Sequence, residues 1–110
     1  MTDPILEQDP KLRQIVQRLV EALEPERIYL FGSRARGEAG SDSDYDVLVV
    51  VPRSDLPAHR QDQRAYRALK GIGVAKDVLV WTREEFESRS SVVCSLPATV
   101  LREGRLLYAA

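Results

Sequence analysis

A small α/β domain is the fold class this sequence predicts, and three observations predict it. Apolar residues recur at helical spacing from Leu12 to Leu23. Two runs, YDVLVVV over 45–51 and an apolar stretch over 74–81, are strands by composition. Helical and strand segments alternate through all 110 residues without repeat, low-complexity tract or linker, so 1–110 reads as a single domain.

Each element has a start or a stop that chemistry explains. Asp9-Pro10 opens a helix as an N-cap acid followed by proline at the first helical position. Leu12, Ile15, Val16, Leu19, Val20 and Leu23 form its apolar face, and Pro25 ends it. Residues 28–31 make a short strand that runs into Gly32-Ser33. The polar, small stretch 34–43 is expected to be a short helix plus a loop. In the 45–51 strand, Val47, Val49 and Val51 point to one side, and Asp44, Asp46, Leu48 and Val50 to the other, before Pro52 stops it. A helix over about 56–70 has a weak apolar face (Leu56, Tyr66, Leu69) and reads as a solvated surface helix. Gly71 and Gly73 mark the turn into the 74–81 strand. Thr82-Arg83-Glu84-Glu85 is a capping box that starts a short helix. A last helix over 96–103 closes at Gly104, and 105–108 adds an edge strand.

Composition excludes several classes of function. Thirteen Arg and three Lys against 17 acids give a net charge of −1, without the basic footprint of a nucleic-acid binder. Cys94 is the only cysteine, so neither an internal disulfide nor a cysteine zinc site can form, and it is expected to be a plain buried thiol. His59 is the only histidine, which excludes a His-rich metal site. No apolar run approaches the ~20 residues of a membrane span, and the N-terminus lacks a signal-peptide form, so a cytoplasmic protein is expected. A chain this short builds a modest core, which leaves room for a partner or a second copy to add stability.

Three features carry chemistry. Gly32-Ser33 ends a strand and enters a turn, where glycine permits close backbone approach to a ligand and the serine hydroxyl adds a hydrogen bond. Taken alone it could be an ordinary strand-to-helix turn. Asp44 and Asp46, two residues apart at a strand end, share a face with Cβ atoms ~6.5–7 Å apart. At that separation two carboxylates repel by about 2–3 kcal/mol at an effective dielectric of ~20. A cation between them would remove the repulsion, and oxygen-only ligands select a hard ion, Mg²⁺ or Mn²⁺. The pair could equally cap the loop, as Asp42 could. Asp77 is an acid inside a run of Val, Leu and Trp, costly unless paired or metal-bound. Lys76 points to the opposite face and is a poor partner. On a strand beside 45–51, Asp77 would be a third carboxylate for a two-metal site, whose ions typically lie ~3.5–4 Å apart. The three carboxylates are expected to converge at one end of the sheet, facing Gly32-Ser33.

With these residues in place, FGSRARGEAGSDSDYDVLVVV resembles the Gly-Ser-x10-Asp-x-Asp signature of the DNA polymerase beta-like nucleotidyltransferases. The closest likeness is to their minimal nucleotidyltransferase (MNT) branch, the MntA-type antitoxins of HEPN/MNT toxin–antitoxin systems. The ending REGRLLY is similar to the close of such domains, and the resemblance spans roughly 23–108. It implies the minimal nucleotidyltransferase fold, a small mixed β-sheet with helices packed on it. It also implies that Gly32 and Ser33 hold the β- and γ-phosphates of an NTP, with ATP favoured. Asp44 and Asp46 would bind or bridge two Mg²⁺ ions, with Mn²⁺ as the alternative. Asp77 would bind the catalytic ion and help deprotonate the acceptor hydroxyl. Arg34 and Arg36 share the loop and stand within reach of phosphate; salt bridges to Glu38 or helix ends are their alternative.

Larger relatives carry a helical second domain that presents the acceptor, so the expected partner is a HEPN-type helical protein, a second copy, or both. The leading reading is an adenylyltransferase that modifies its partner toxin. Transfer to a small molecule such as an aminoglycoside, transfer to an RNA end, and a non-catalytic binding module stay open beside it.

Overall fold

The computed structural model describes residues 3–38, 40, 44–53 and 58–110, with the backbone alone at 58 and 59. The expectations for Asp42, Leu56 and the His59 side chain lie outside the described residues. In chain order the elements are α1 (Ile5–Gln8), α2 (Pro10–Leu23), β1 (Arg27–Phe31), α3 (Gly32–Ala35), β2 (Tyr45–Val51), α4 (Ala58–Ala68), β3 (Lys76–Thr82), α5 (Arg83–Ser90), α6 (Leu96–Glu103) and β4 (Arg105–Ala109). The strands form one mixed sheet in the order β3-β2-β1-β4. β1 is antiparallel to β2 and to β4, whereas β2 and β3 run parallel, joined through α4. This is a small α/β domain with helices packed on a mixed sheet, as the sequence implied.

β2 reads as a continuous apolar run because both of its faces are covered. Tyr45, Val47, Val49 and Val51 face a core shared with Leu12, Ile15 and Leu19 of α2 and Ala65 of α4. Leu48 and Val50 face a second core with Tyr29, Phe86 of α5 and Val100 of α6. The Tyr29 and Phe86 rings stack at 5.7 Å, almost parallel. The sheet is thus the middle of three layers, and its β1–β2–β3 strand ends carry the signature residues.

The caps form where expected. Asp9 accepts from the Leu12 amide at 3.1 Å at the head of α2. Thr82 and Glu85 exchange reciprocal bonds, each 3.2 Å, at the head of α5. α2 ends at Glu24 in the left-handed conformation, one residue before Pro25. α1 was not anticipated; the Asp3 carboxylate starts it by accepting from the Ile5 amide at 2.9 Å.

Two expectations are corrected. Cys94 is exposed, not buried, because residues 91–94 form a tight turn that projects Val92, Val93 and the thiol outward. Tyr66 does not belong to the apolar face of α4. The buried side of the helix presents Gln61 and Ala65 and is continued by Leu69 just beyond its end, while Tyr66 is 42% exposed. Among the described residues, no helix is long and apolar enough to cross a membrane.

Candidate active site

Sheet register brings the acids together. Phe31 of β1 pairs with Asp46 of β2, and Asp46 pairs with Asp77 of β3. The two carboxylates therefore leave the same face of adjacent strands, as the sequence reading required of Asp77. Asp44 lies just before β2 and is exposed.

Gly32 follows Phe31 directly and has φ +75°, a conformation that disfavours side chains. A Cβ there would collide with Asp46 Oδ2, so the carboxylate lies against bare backbone. Ser33 comes next, half-buried in α3. Among the described residues, no side-chain hydrogen bond caps this helix at Phe31.

The electrostatics agree with the geometry. Burial, then the charge of Asp77, then that of Asp44, push the Asp46 carboxyl above its ordinary value, against the lowering influence of Arg36. Asp46 is thus the centre of the acidic group. Among the described residues, however, no three acidic, histidine or cysteine side chains stand close enough together to ligate one ion. The expected convergence of all three carboxylates is not seen: Asp46 and Asp77 stand side by side, and Asp44 contributes only a further charge. Mutual repulsion favours this spread, and the Asp77 Oδ1 accepts from the Tyr66 hydroxyl of α4 at 3.1 Å. The donor set still fits a hard divalent cation, being carboxylate oxygen only.

The two arginines separate. Arg36 is paired with Glu38 at 3.0 Å, both exposed, yet its charge is felt at Asp46. The Arg34 guanidinium lies over the Tyr45 ring, 4.0 Å from its centre, and Tyr45 leaves β2 on the face opposite Asp46. The Tyr45 hydroxyl in turn donates to the Asp9 carboxylate, 2.8 Å from one oxygen and 3.1 Å from the other. Burial raises the Tyr45 pKa, and the Asp9 bond and charge add to it, against Arg34. β2 is thereby tied to the head of α2 at the residue preceding Asp46. A cavity of about 200 Å³ beside this anchor is lined by Ile5, Asp9, Leu30, Arg34, Gly37 and Tyr45. A larger one, about 460 Å³, lies on the apolar seam of α2 and Tyr108; it carries none of the signature acids, so the chemistry places the site at the acids and not there.

Sequence reading missed two residues here. Asp62 and Tyr66, one helical turn apart on α4, accept from the outer-edge amides of Val80 and Val78 of β3, each at 3.2 Å. The Val78 amide alone would lower the Tyr66 pKa. Burial, the bond to Asp77 and the charges of Asp77 and Asp62 outweigh it and leave it raised. The i, i+4 spacing of a carboxylate and a phenol was the available signal.

Comparison with known proteins gives concordant results. Residues 10–107 match the family described as nucleotidyltransferase domain. A protein of Methanocaldococcus jannaschii named as a candidate protein adenylyltransferase is 34% identical over 82 residues, 74% of this chain and 77% of that protein. A second from the same organism, similarly named, is 33% identical over 55 residues, 50% of this chain and 54% of that protein. Among solved structures, a candidate nucleotidyltransferase from Sulfolobus solfataricus superposes with TM-score 0.64 at 22% identity, covering 91% of this chain and 78% of that one. A toxin–antitoxin structure with AMP-PNP gives TM-score 0.56 at 24% identity, over 89% and 73% of the two chains. A mutant MntA-HpeT toxin–antitoxin structure gives 0.55 at 22%, with the same coverage. At these identities the structural likenesses establish the fold.

Proposed function

The chain belongs to the nucleotidyltransferase domain family, and from that premise we propose that it transfers AMP from ATP to a hydroxyl of a HEPN-type partner toxin, with Mg²⁺ held by Asp44, Asp46 and Asp77. The observation that carries this reading is the Asp46 carboxylate resting on Gly32 with Asp77 beside it in register. A triphosphate entering the Gly32-Ser33 turn would meet backbone with no Cβ in the way, and the Ser33 hydroxyl would donate to a phosphate oxygen. The acids line one side of that turn, so the nucleotide binds only with its charge compensated. Bound there, Mg²⁺ supplies charge neutralisation for the triphosphate and for departing pyrophosphate. The acceptor oxygen attacks the α-phosphorus in line, the bond to the β-phosphate oxygen breaks, and Asp77 takes the acceptor's proton.

The adenylyl assignment draws on the names of the Methanocaldococcus relatives. The antitoxin role draws on the Gly-Ser-x10-Asp-x-Asp signature and on the shared fold of the toxin–antitoxin neighbours. The proposed setting is the cytoplasm.

The test is to incubate the protein with ATP, Mg²⁺ and the product of a neighbouring HEPN-type gene, then read the partner's mass. Addition of one AMP to the partner is expected from the wild type and not from D44N/D46N. A complex that forms and protects cells without any mass change, in wild type and double variant alike, would make the protein a binding antitoxin and end the enzymatic reading of its role.

A further inference from the structure

We propose that Tyr66 is a positioning residue for Asp77, fixing one oxygen of the third carboxylate so that the other is presented to a metal ion or an acceptor proton. This deepens the proposed function and rests on it. α4 lies along the outer edge of β3, and two of its side chains meet that edge. Asp62 Oδ1 accepts from the Val80 amide and the Tyr66 hydroxyl accepts from the Val78 amide, both at 3.2 Å.

The two contacts look equivalent, but only one continues to the acids. An amide N–H can only donate, so at Val78 the phenol must act as acceptor. Its single proton is thereby left for Asp77 Oδ1, 3.1 Å away. The bond's direction follows from donor and acceptor counting alone. The phenol reaches Asp77 from α4, a different element from the strand that carries it.

Asp77 needs such a tether. It is an exposed side chain next to a like charge on Asp46, so left alone it would turn toward solvent. With Oδ1 held by Tyr66, the rotation of the carboxylate is restricted. Among the described residues no hydrogen bond engages Oδ2, which stays available for a metal ion or an acceptor proton. Groups that orient ligating carboxylates in this way typically matter tenfold or more to metal affinity or activity.

A purely structural role as an edge cap makes a different prediction, and Asp62 supplies the matched control. Tyr66→Phe and Asp62→Ala each remove one acceptor from a β3 edge amide on the same helix, but only the first releases Asp77. The ring of Tyr66 is partly exposed and Phe retains it, so the fold is kept; thermal unfolding of both variants checks this. Mn²⁺ binding without nucleotide, followed by electron paramagnetic resonance, and the kinetics of AMP transfer are then compared.

Y66F is expected to weaken Mn²⁺ binding about tenfold and, at saturating metal, to lower kcat with KM for ATP unchanged. D62A is expected to match wild type in both while losing comparable thermal stability. If Y66F and D62A bind Mn²⁺ and turn over alike, Tyr66 is only an edge cap and the proposal is overturned. Wild-type protein that binds no Mn²⁺ and transfers nothing would overturn the proposed function itself, and this inference with it.

Discussion

Gly32→Ala separates two roles of one glycine, and the molecule contains its own control. Ala at φ +75° carries the cost of the left-handed region, about 1–2 kcal/mol. Gly71 has φ +88°, and a Cβ added there meets nothing within 4 Å. G71A thus carries the same backbone penalty without any collision. At Gly32 the added Cβ strikes Asp46 Oδ2, so the carboxylate must swing off the turn. Each kcal/mol lowers Tm by about 4–8 °C in a domain of this size, so both variants should melt some 4–16 °C below wild type. Only G32A should lose AMP transfer, by about a hundredfold or more, because a shift of about 1 Å in a reacting group has that effect. Thermal melts with single-turnover transfer assays on the three proteins decide the matter. Transfer by G32A equal to that of G71A would show that the contact between Gly32 and Asp46 has no part in the chemistry.

D44N/D46N should fold and, in metal-free buffer at neutral pH, gain about 1 kcal/mol. That is less than the unscreened repulsion, because Asp44 and Asp77 are exposed. Because the folded-state pKa of Asp46 is raised, wild type loses stability as pH rises from the ordinary value of 3.8 through that raised pKa. The advantage of D46N should therefore vanish below pH 3.8 and be complete above the raised pKa; urea melts across pH check it. D9A should cost about 2–3 kcal/mol, more than an ordinary cap, since Asp9 both caps α2 and accepts from Tyr45; non-additivity with Y45F in urea melts is the check. Ser33→Ala should weaken ATP binding by about 1 kcal/mol in calorimetry with Mg²⁺, and wild type should bind ATP far more weakly in EDTA.

What was legible in the sequence was whatever neighbours along the chain decide. The Asp9-Pro10 start of α2, the Thr82–Glu85 box, the bounds of β2 and the run of α6 to Gly104 all depend on groups within four residues of each other. The candidate acids were legible for a different reason, as charged residues set against apolar strands. Apart from the locally started α1 and the 91–94 turn, the unread features are contacts between separate elements. Tyr66 looked like part of an apolar face because its ring is apolar, and only the docking of α4 on β3 shows its hydroxyl at work. The stacking of Arg34 on the Tyr45 ring likewise joins two separate elements. Cys94 was expected inside on the habits of its residue type, and the turn that carries it outward has no such signature.

The pairing of Asp46 with Asp77 also bears on how the chain avoids misfolding. β2 and β3 are both rich in valine and leucine, and such strands could slide past one another with little loss of apolar contact. A slip of β3 by a single residue turns every one of its side chains to the other face. Asp77 would then enter the layer occupied by Val47 and Val49, where an unpaired carboxylate costs several kcal/mol. Val78, now fully buried, would emerge beside the acids. The same carboxylate proposed for catalysis thus acts as a lock on strand alignment. D77V should relax that lock, and a population with shifted pairing would appear as doubled β3 amide resonances in its NMR spectrum.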